Sequence, residues 1–127
     1  MLMTIHGPDP LHTDEASFVL GQTLVELQRR IRDDLRRART DGVVERPILG
    51  AVLCIRALLE AFPGYGFHCH TKDIEEWRDL YLAWYDQESV KFPLSTKARK
   101  KLRENAVDEF ERVLAHTEAT GYRLGDD

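Results

Sequence analysis

Residues 20–38, LGQTLVELQRRIRDDLRRA, decide the fold class. Apolar side chains recur at Leu20, Leu24, Leu27, Ile31, Leu35 and Ala38, always three or four positions apart. At 3.6 residues per turn that spacing draws one stripe along one face of an α-helix. Upstream, Thr13 is placed to cap the helix, and Asp14 and Glu15 fall in a first turn whose dipole favours negative charge. Downstream, Asp41-Gly42 is a stop signal. A helix of that span is about 39 Å long at 1.5 Å per residue, and so long and narrow a seam suits a bundle or a helical dimer.

Working outward, Pro47 fits the first position of a second helix. From Ile48 to Phe62 its only charged side chains are Arg56 and Glu60, and a helix apolar almost all round is expected to be central and buried. Gly50, Cys54, Ala57 and Ala61 share one of its faces. Small side chains in such a row let another helix approach closely, within the fold or across a dimer interface. Pro63-Gly64 ends the helix, and the stretch Tyr65 to His70 has no helical period.

A third helix is expected from Thr71 or Asp73, with Asp73 and Glu76 at capping-box spacing, and it carries an aromatic stripe through Ile74, Trp77, Tyr81, Trp84 and Tyr85. Ser89 to Leu94, with Pro93, is expected to be a loop. A fourth helix starts at Ser95 or Thr96, runs through Ala98, Leu102, Ala106, Phe110, Val113, Leu114 and Thr117, and stops at Gly121. The expectation is an all-α fold: a compact bundle of about four helices, helix one long and amphipathic, helix two central and buried. Its organisation would be an irregular N-terminal arm over 1–12, one bundle domain over 13–121 and an acidic C-terminal tail over 122–127.

The chain has 127 residues and is 43% hydrophobic, which suits one globular domain and is too apolar for disorder. No run of about eighteen apolar residues occurs, so no membrane partner is expected. The N-terminus lacks a basic region followed by an apolar stretch, which makes the cytoplasm the expected compartment. Two cysteines suit a reducing environment, and Cys54, within the apolar second helix, is expected in the core.

Four constellations are candidate sites. Arg29, Arg32, Arg36 and Arg39 fall on one face of helix one, where guanidinium groups in a row track phosphates or clamp an acidic partner. Asp33 and Asp34 lie close enough to turn the same row into an ordinary solvated face. At the start of helix four, Ser95, Thr96, Lys97, Lys100 and Lys101, with Arg99 and Arg103, place cations where the helix dipole opposes them. Free amides, hydroxyls and cations together suit an anion or a nucleic acid.

His68 and His70 would point the same way on an extended segment, with Cys69 opposite, and are zinc ligands in kind. His6 and His12 in the arm would complete such a site, but the paired spacings of known zinc modules are missing. The competing reading puts both histidines at the rim of an aromatic core edge formed by Tyr65, Phe67, Trp77, Tyr81 and Trp84, side chains of the kind that line a ligand pocket between helices. Arg56 and Glu60, one turn apart, are expected to form a structural ion pair.

Arg112 and His116 stack on one face of helix four with three residues between them. The pair is similar to the mark of the HEPN superfamily, helical bundles that include RNA-cleaving toxins, in which the arginine and histidine stand further apart. The resemblance covers one residue pair and departs from the family's spacing, so it implies an RNase-like alternative and no membership.

No nucleotide-binding loop, acid–base pair or activated nucleophile is legible. The expected function is therefore a non-enzymatic helical interaction protein (adaptor, inhibitor or regulatory subunit) that forms a homo-oligomer and binds a protein partner. One alternative is an RNA- or DNA-binding accessory protein using the arginine row and the basic start of helix four. The other is a small metal-binding protein or RNase-like enzyme with a histidine-containing site. No cofactor is expected outside that last alternative, where the metal would be zinc.

Overall fold

A computed structural model describes residues 14–41 and 48–120, with side chains over 14–37 and 48–120. Four α-helices follow one another: α1 (Asp14–Asp41), α2 (Leu49–Ala61), α3 (Thr71–Glu88) and α4 (Thr96–Ala119). A 3-10 turn at Ser89–Lys91 continues α3, and no strand occurs among the described residues. The N-terminal arm, Pro47, Gly121 and the acidic tail lie outside the described residues, as does the side chain of Arg39.

The periodic stripe of α1 turns inward as its spacing requires. Leu20, Leu24, Ile31 and Leu35 are buried, and Leu27 packs against them half-buried. Val52, Ile55 and Leu59 join this core from α2, with Ile48 at the capping position just before it. Ile74, Trp77, Tyr81 and Tyr85 come from α3, and Ala106, Phe110, Val113 and Leu114 from α4. Each large apolar side chain removed from water contributes about 1.5–3 kcal/mol. Thr117 is fully buried too, and its hydroxyl donates to the Val113 carbonyl at 2.9 Å, so no unpaired polar group is left there.

α2 packs against α1 on one side and α4 on the other, and α4 also packs against α3. No comparable seam joins α1 to α3. The bundle is thus closed along three seams, and an open groove of about 370 Å³ runs along the fourth.

Two local features hold the connections. Ser95 adopts extended backbone, and its hydroxyl accepts from the Ala98 amide at 3.1 Å, a side-chain cap for α4. In the α2–α3 connection the Tyr65 amide donates to Phe62 at 2.9 Å, and Phe67 plugs the core completely. Gly21, inside α1, costs about 1 kcal/mol of helix propensity relative to alanine. A Cβ there would stand 3.0 Å from the Tyr65 hydroxyl, so the missing side chain lets the tip of that ring lie against α1 without a shift.

Several details differ from the sequence reading. α3 begins at Thr71 with His70 at the capping position and no side-chain cap, so neither Thr71 nor Asp73 caps it and Asp73 sits in its first turn instead. Leu102 is 40% exposed although it falls in the inward run expected of helix four. α2 is central between two neighbours, but it is buried along one face only. Cys54 is exposed and not a core residue; Cys69 is the buried cysteine. Gly50, Ala57 and Ala61 are exposed alongside Cys54, and no atom lies within 4 Å of where a Cβ on Gly50 would stand. The close approach that the small-residue row permits is not used by any described helix of the fold.

Candidate functional site

The seam between α2 and α4 carries a network of charges. Arg56, a quarter exposed, donates from Nε to Glu109 Oε2 at 2.6 Å and from Nη2 to Oε1 at 3.4 Å. Glu60, one turn further along α2, lies 3.5 Å from Arg56 and 2.5 Å from Arg112. Arg112 also approaches Glu109 at 3.8 Å and Asp108 at 3.9 Å. The Glu109 hydrogen bond raises the Arg56 pKa above its usual value, so the guanidinium stays charged. The expected Arg56–Glu60 pair is therefore one arm of a bridge whose main partner is Glu109. Glu109 is not singled out by the sequence, and Arg112 stands out there only for its spacing to His116; the one signal for the network is the three-residue spacing of Glu109 and Arg112 on a face that α2 could meet.

This network also takes up half of the HEPN-like pair. The other half, His116, holds its Nε2 2.5 Å from the Tyr65 carbonyl oxygen. A carbonyl oxygen only accepts, so Nε2 carries the proton and donates it, tying α4 to the α2–α3 connection. Both residues thus have structural partners.

The arginine row of α1 is exposed at Arg29, Arg32 and Arg36. Arg29 lies 3.4 Å from Glu26 and Arg36 3.7 Å from Asp33, pairs within one helix that are worth a few tenths of a kcal/mol each. Arg32 differs from them, because it lines the groove toward α3.

At the start of α4 the ingredients of an anion site are partly committed elsewhere. The Ser95 hydroxyl is engaged in capping, and Thr96 Oγ1 accepts from Arg99 at 3.3 Å. Arg103 forms a two-pronged bridge to Asp86 on α3 at 2.8 and 3.0 Å. The Tyr85 hydroxyl donates to the Arg99 carbonyl at 2.7 Å, and Arg99 Nε is buried without a partner. Lys97, Lys100 and Lys101 remain exposed, with no ion pair to a described residue.

His68 is exposed, Cys69 buried and His70 half-buried, the alternation expected of an extended segment. The Cys69 thiol donates to the His70 carbonyl at 3.6 Å, and burial, with Asp73 nearby, pushes its pKa up to about 12. A thiol so placed is a poor metal ligand. Among the described residues, no three His, Cys, Asp or Glu side chains assemble into a group that could hold a metal ion. The aromatic cluster is centred further along α3. Tyr81 packs on Trp84 at 5.7 Å, on Phe110 at 5.8 Å and on Tyr85 at 6.1 Å, and Phe92 closes the cluster beside Trp84 and Tyr85.

The remaining surface is the outer face of α2. Gly50, Cys54, Ala57 and Ala61 share it with Leu53, which is 36% exposed. Both charged residues of the helix are drawn aside into the α4 seam, and no charge is left on this face. None of the described helices is long and apolar enough to cross a membrane, so the face is not part of a membrane-spanning helix. Compared with protein-family models, with curated proteins and with solved structures, the chain matches none.

Proposed function

We propose that this chain is a non-enzymatic interaction protein that associates with a second copy of itself through the outer face of α2. The observation that carries the reading is an uncharged helix face left in water by an otherwise well-packed fold. A helix apolar on all sides belongs inside a protein, and here only part of it is inside. A two-fold axis near Ala57 would set the row of small side chains against its own copy, an isologous contact in which two α2 backbones approach closely. Leu53 would add apolar area at the flank. α2 is about 20 Å long, so this face alone falls short of the roughly 800 Å² per partner of a standard interface. Association is therefore reversible and depends on concentration.

Sedimentation velocity over a range of concentrations tests the reading. The expected outcome is a monomer–dimer equilibrium that Ala57→Glu abolishes while the helical circular dichroism is kept. Mild oxidation of concentrated protein should also link Cys54 to its copy. A chain that stays monomeric up to about 1 mM, or a dimer indifferent to Ala57→Glu, refutes it.

A second reading has one specific observation in its favour. Lys97, Lys100 and Lys101 stand exposed without ion pairs among the described residues, whereas Arg29, Arg36 and Arg103 have theirs. Nucleic-acid binding through these lysines predicts fluorescence anisotropy with mixed-sequence oligonucleotides that falls steeply as salt rises. Binding unchanged by Lys100→Glu would dismiss it.

A further inference from the structure

The open groove between α1 and α3 has two walls of opposite charge. Arg32 and Arg36 line it from α1, Asp73 and Glu76 from α3. Arg32 and Asp73 form no ion pair with any described residue, so the walls are not closed on each other there. Between them Leu35 and Trp77 supply an apolar floor, both more than nine-tenths buried.

Gln28 also lines the groove and is only 5% exposed. Its amide makes no hydrogen bond to another described residue. The Gln28 amide atoms are not among the fully enclosed, partnerless polar atoms of the described residues, so they keep access to the groove and leave a donor and an acceptor for a ligand. The groove volume, about 370 Å³, lies at the lower end of small-molecule sites, which run from about 300 to 1,000 Å³.

We infer that this groove binds a free α-amino acid. A ligand of one charge is attracted by one wall and repelled by the other, whereas a small zwitterion satisfies both. Its carboxylate meets the Arg32 guanidinium, whose fork matches that group. Its ammonium meets Asp73. Its side chain lies over Leu35 and Trp77, which favours an apolar or aromatic residue, and the Gln28 amide takes one of the ligand's polar groups. The site is separate from the outer face of α2, so it stands or falls independently of self-association.

The test is an NMR titration of the full chain with the standard L-α-amino acids, in pools and then singly, following the Gln28 side-chain amide and the Trp77 indole. The expected result is saturable shifts at both groups with an apolar or aromatic amino acid. The matching decarboxylated amine and the matching acid without its amine should each bind about tenfold more weakly or worse. Gln28→Leu, Arg32→Gln and Asp73→Asn should each weaken binding by about tenfold with spectral dispersion preserved. The inference is overturned by an absence of shifts at Gln28 and Trp77 at about 10 mM ligand, or by equal binding of the single-charge analogues. It is also overturned if all three well-folded variants bind as the parent does.

Discussion

Replacing Glu109 by methionine tests whether the α2–α4 charge network is structural. The change removes the carboxylate that Arg56 reaches at 2.6 Å, in a side chain only 15% exposed. A surface pair is worth about 0–1 kcal/mol, whereas breaking a buried pair costs about 3–5 kcal/mol because a charge is left behind. This pair lies between those limits, and Arg56, 23% exposed, keeps Glu60 at 3.5 Å as a second partner. The expected loss is therefore about 1.5–2.5 kcal/mol, which lowers Tm by about 6–10 °C in a domain of this size. Arg56→Met together with Glu109→Met leaves no unpaired charge in that pair, and apolar replacement of a buried pair is often close to neutral. The double variant should lose no more than about 1 kcal/mol, giving a coupling energy of at least 1 kcal/mol or so. Urea unfolding followed by circular dichroism measures Glu109→Met, Arg56→Met alone and the double variant, and an unchanged m-value shows that the comparison is sound. A loss below about 0.5 kcal/mol for Glu109→Met, or strictly additive single effects, refutes the reasoning.

Other expectations rest on single residues. With dilute protein at pH 8, Cys54 should react at once with a thiol reagent. Cys69, 3% exposed and with its thiol pushed up to about 12, should wait for denaturant; two thiols reacting at one rate would contradict this. The hydrogen bond from Arg103 holds the Asp86 carboxyl below its usual pKa. Its stabilisation is then fully present above the unfolded value of about 3.9 and is lost as pH falls through the lower folded value. Both side chains are about half exposed, so Asp86→Asn should cost at most about 1 kcal/mol at pH 7 and progressively less in acid, as unfolding curves across that range would show. Phe110→Ala, at a fully buried site beside Tyr81, should cost about 3–5 kcal/mol in chemical denaturation, and a loss under 1 kcal/mol would mean the core repacks there.

The helices were legible because burial leaves a period in the sequence. Leu20, Leu24, Ile31 and Leu35 are buried as their spacing demands, and Ser95 caps α4 as its type suggests. What the sequence does not carry is how many neighbours a helix has. The apolarity of α2 implied burial all round, yet among the described helices α1 and α4 are its main neighbours, and Cys54 is left exposed. Pairings across helices were equally hidden, because Arg56 and Glu109 are 53 residues apart and meet only through the register of two packed helices. Gln28 was missed for a related reason. A single polar residue beside an apolar stripe looks like the edge of the polar face until its burial is known.

The three-seam closure has a consequence for how the molecule comes apart. α1 is the longest helix, yet it rests chiefly on α2 and is not clamped by α3 from the other side. Detaching it disrupts one seam, whereas freeing α2 or α4 disrupts two. Amide hydrogens of α1 should therefore exchange through an opening well below the global unfolding free energy, while those facing the α2–α4 seam exchange last. In that partly open state the part of α2 that α1 covers is bared, and the bundle passes through a three-helix form in which its first helix is briefly a free strap.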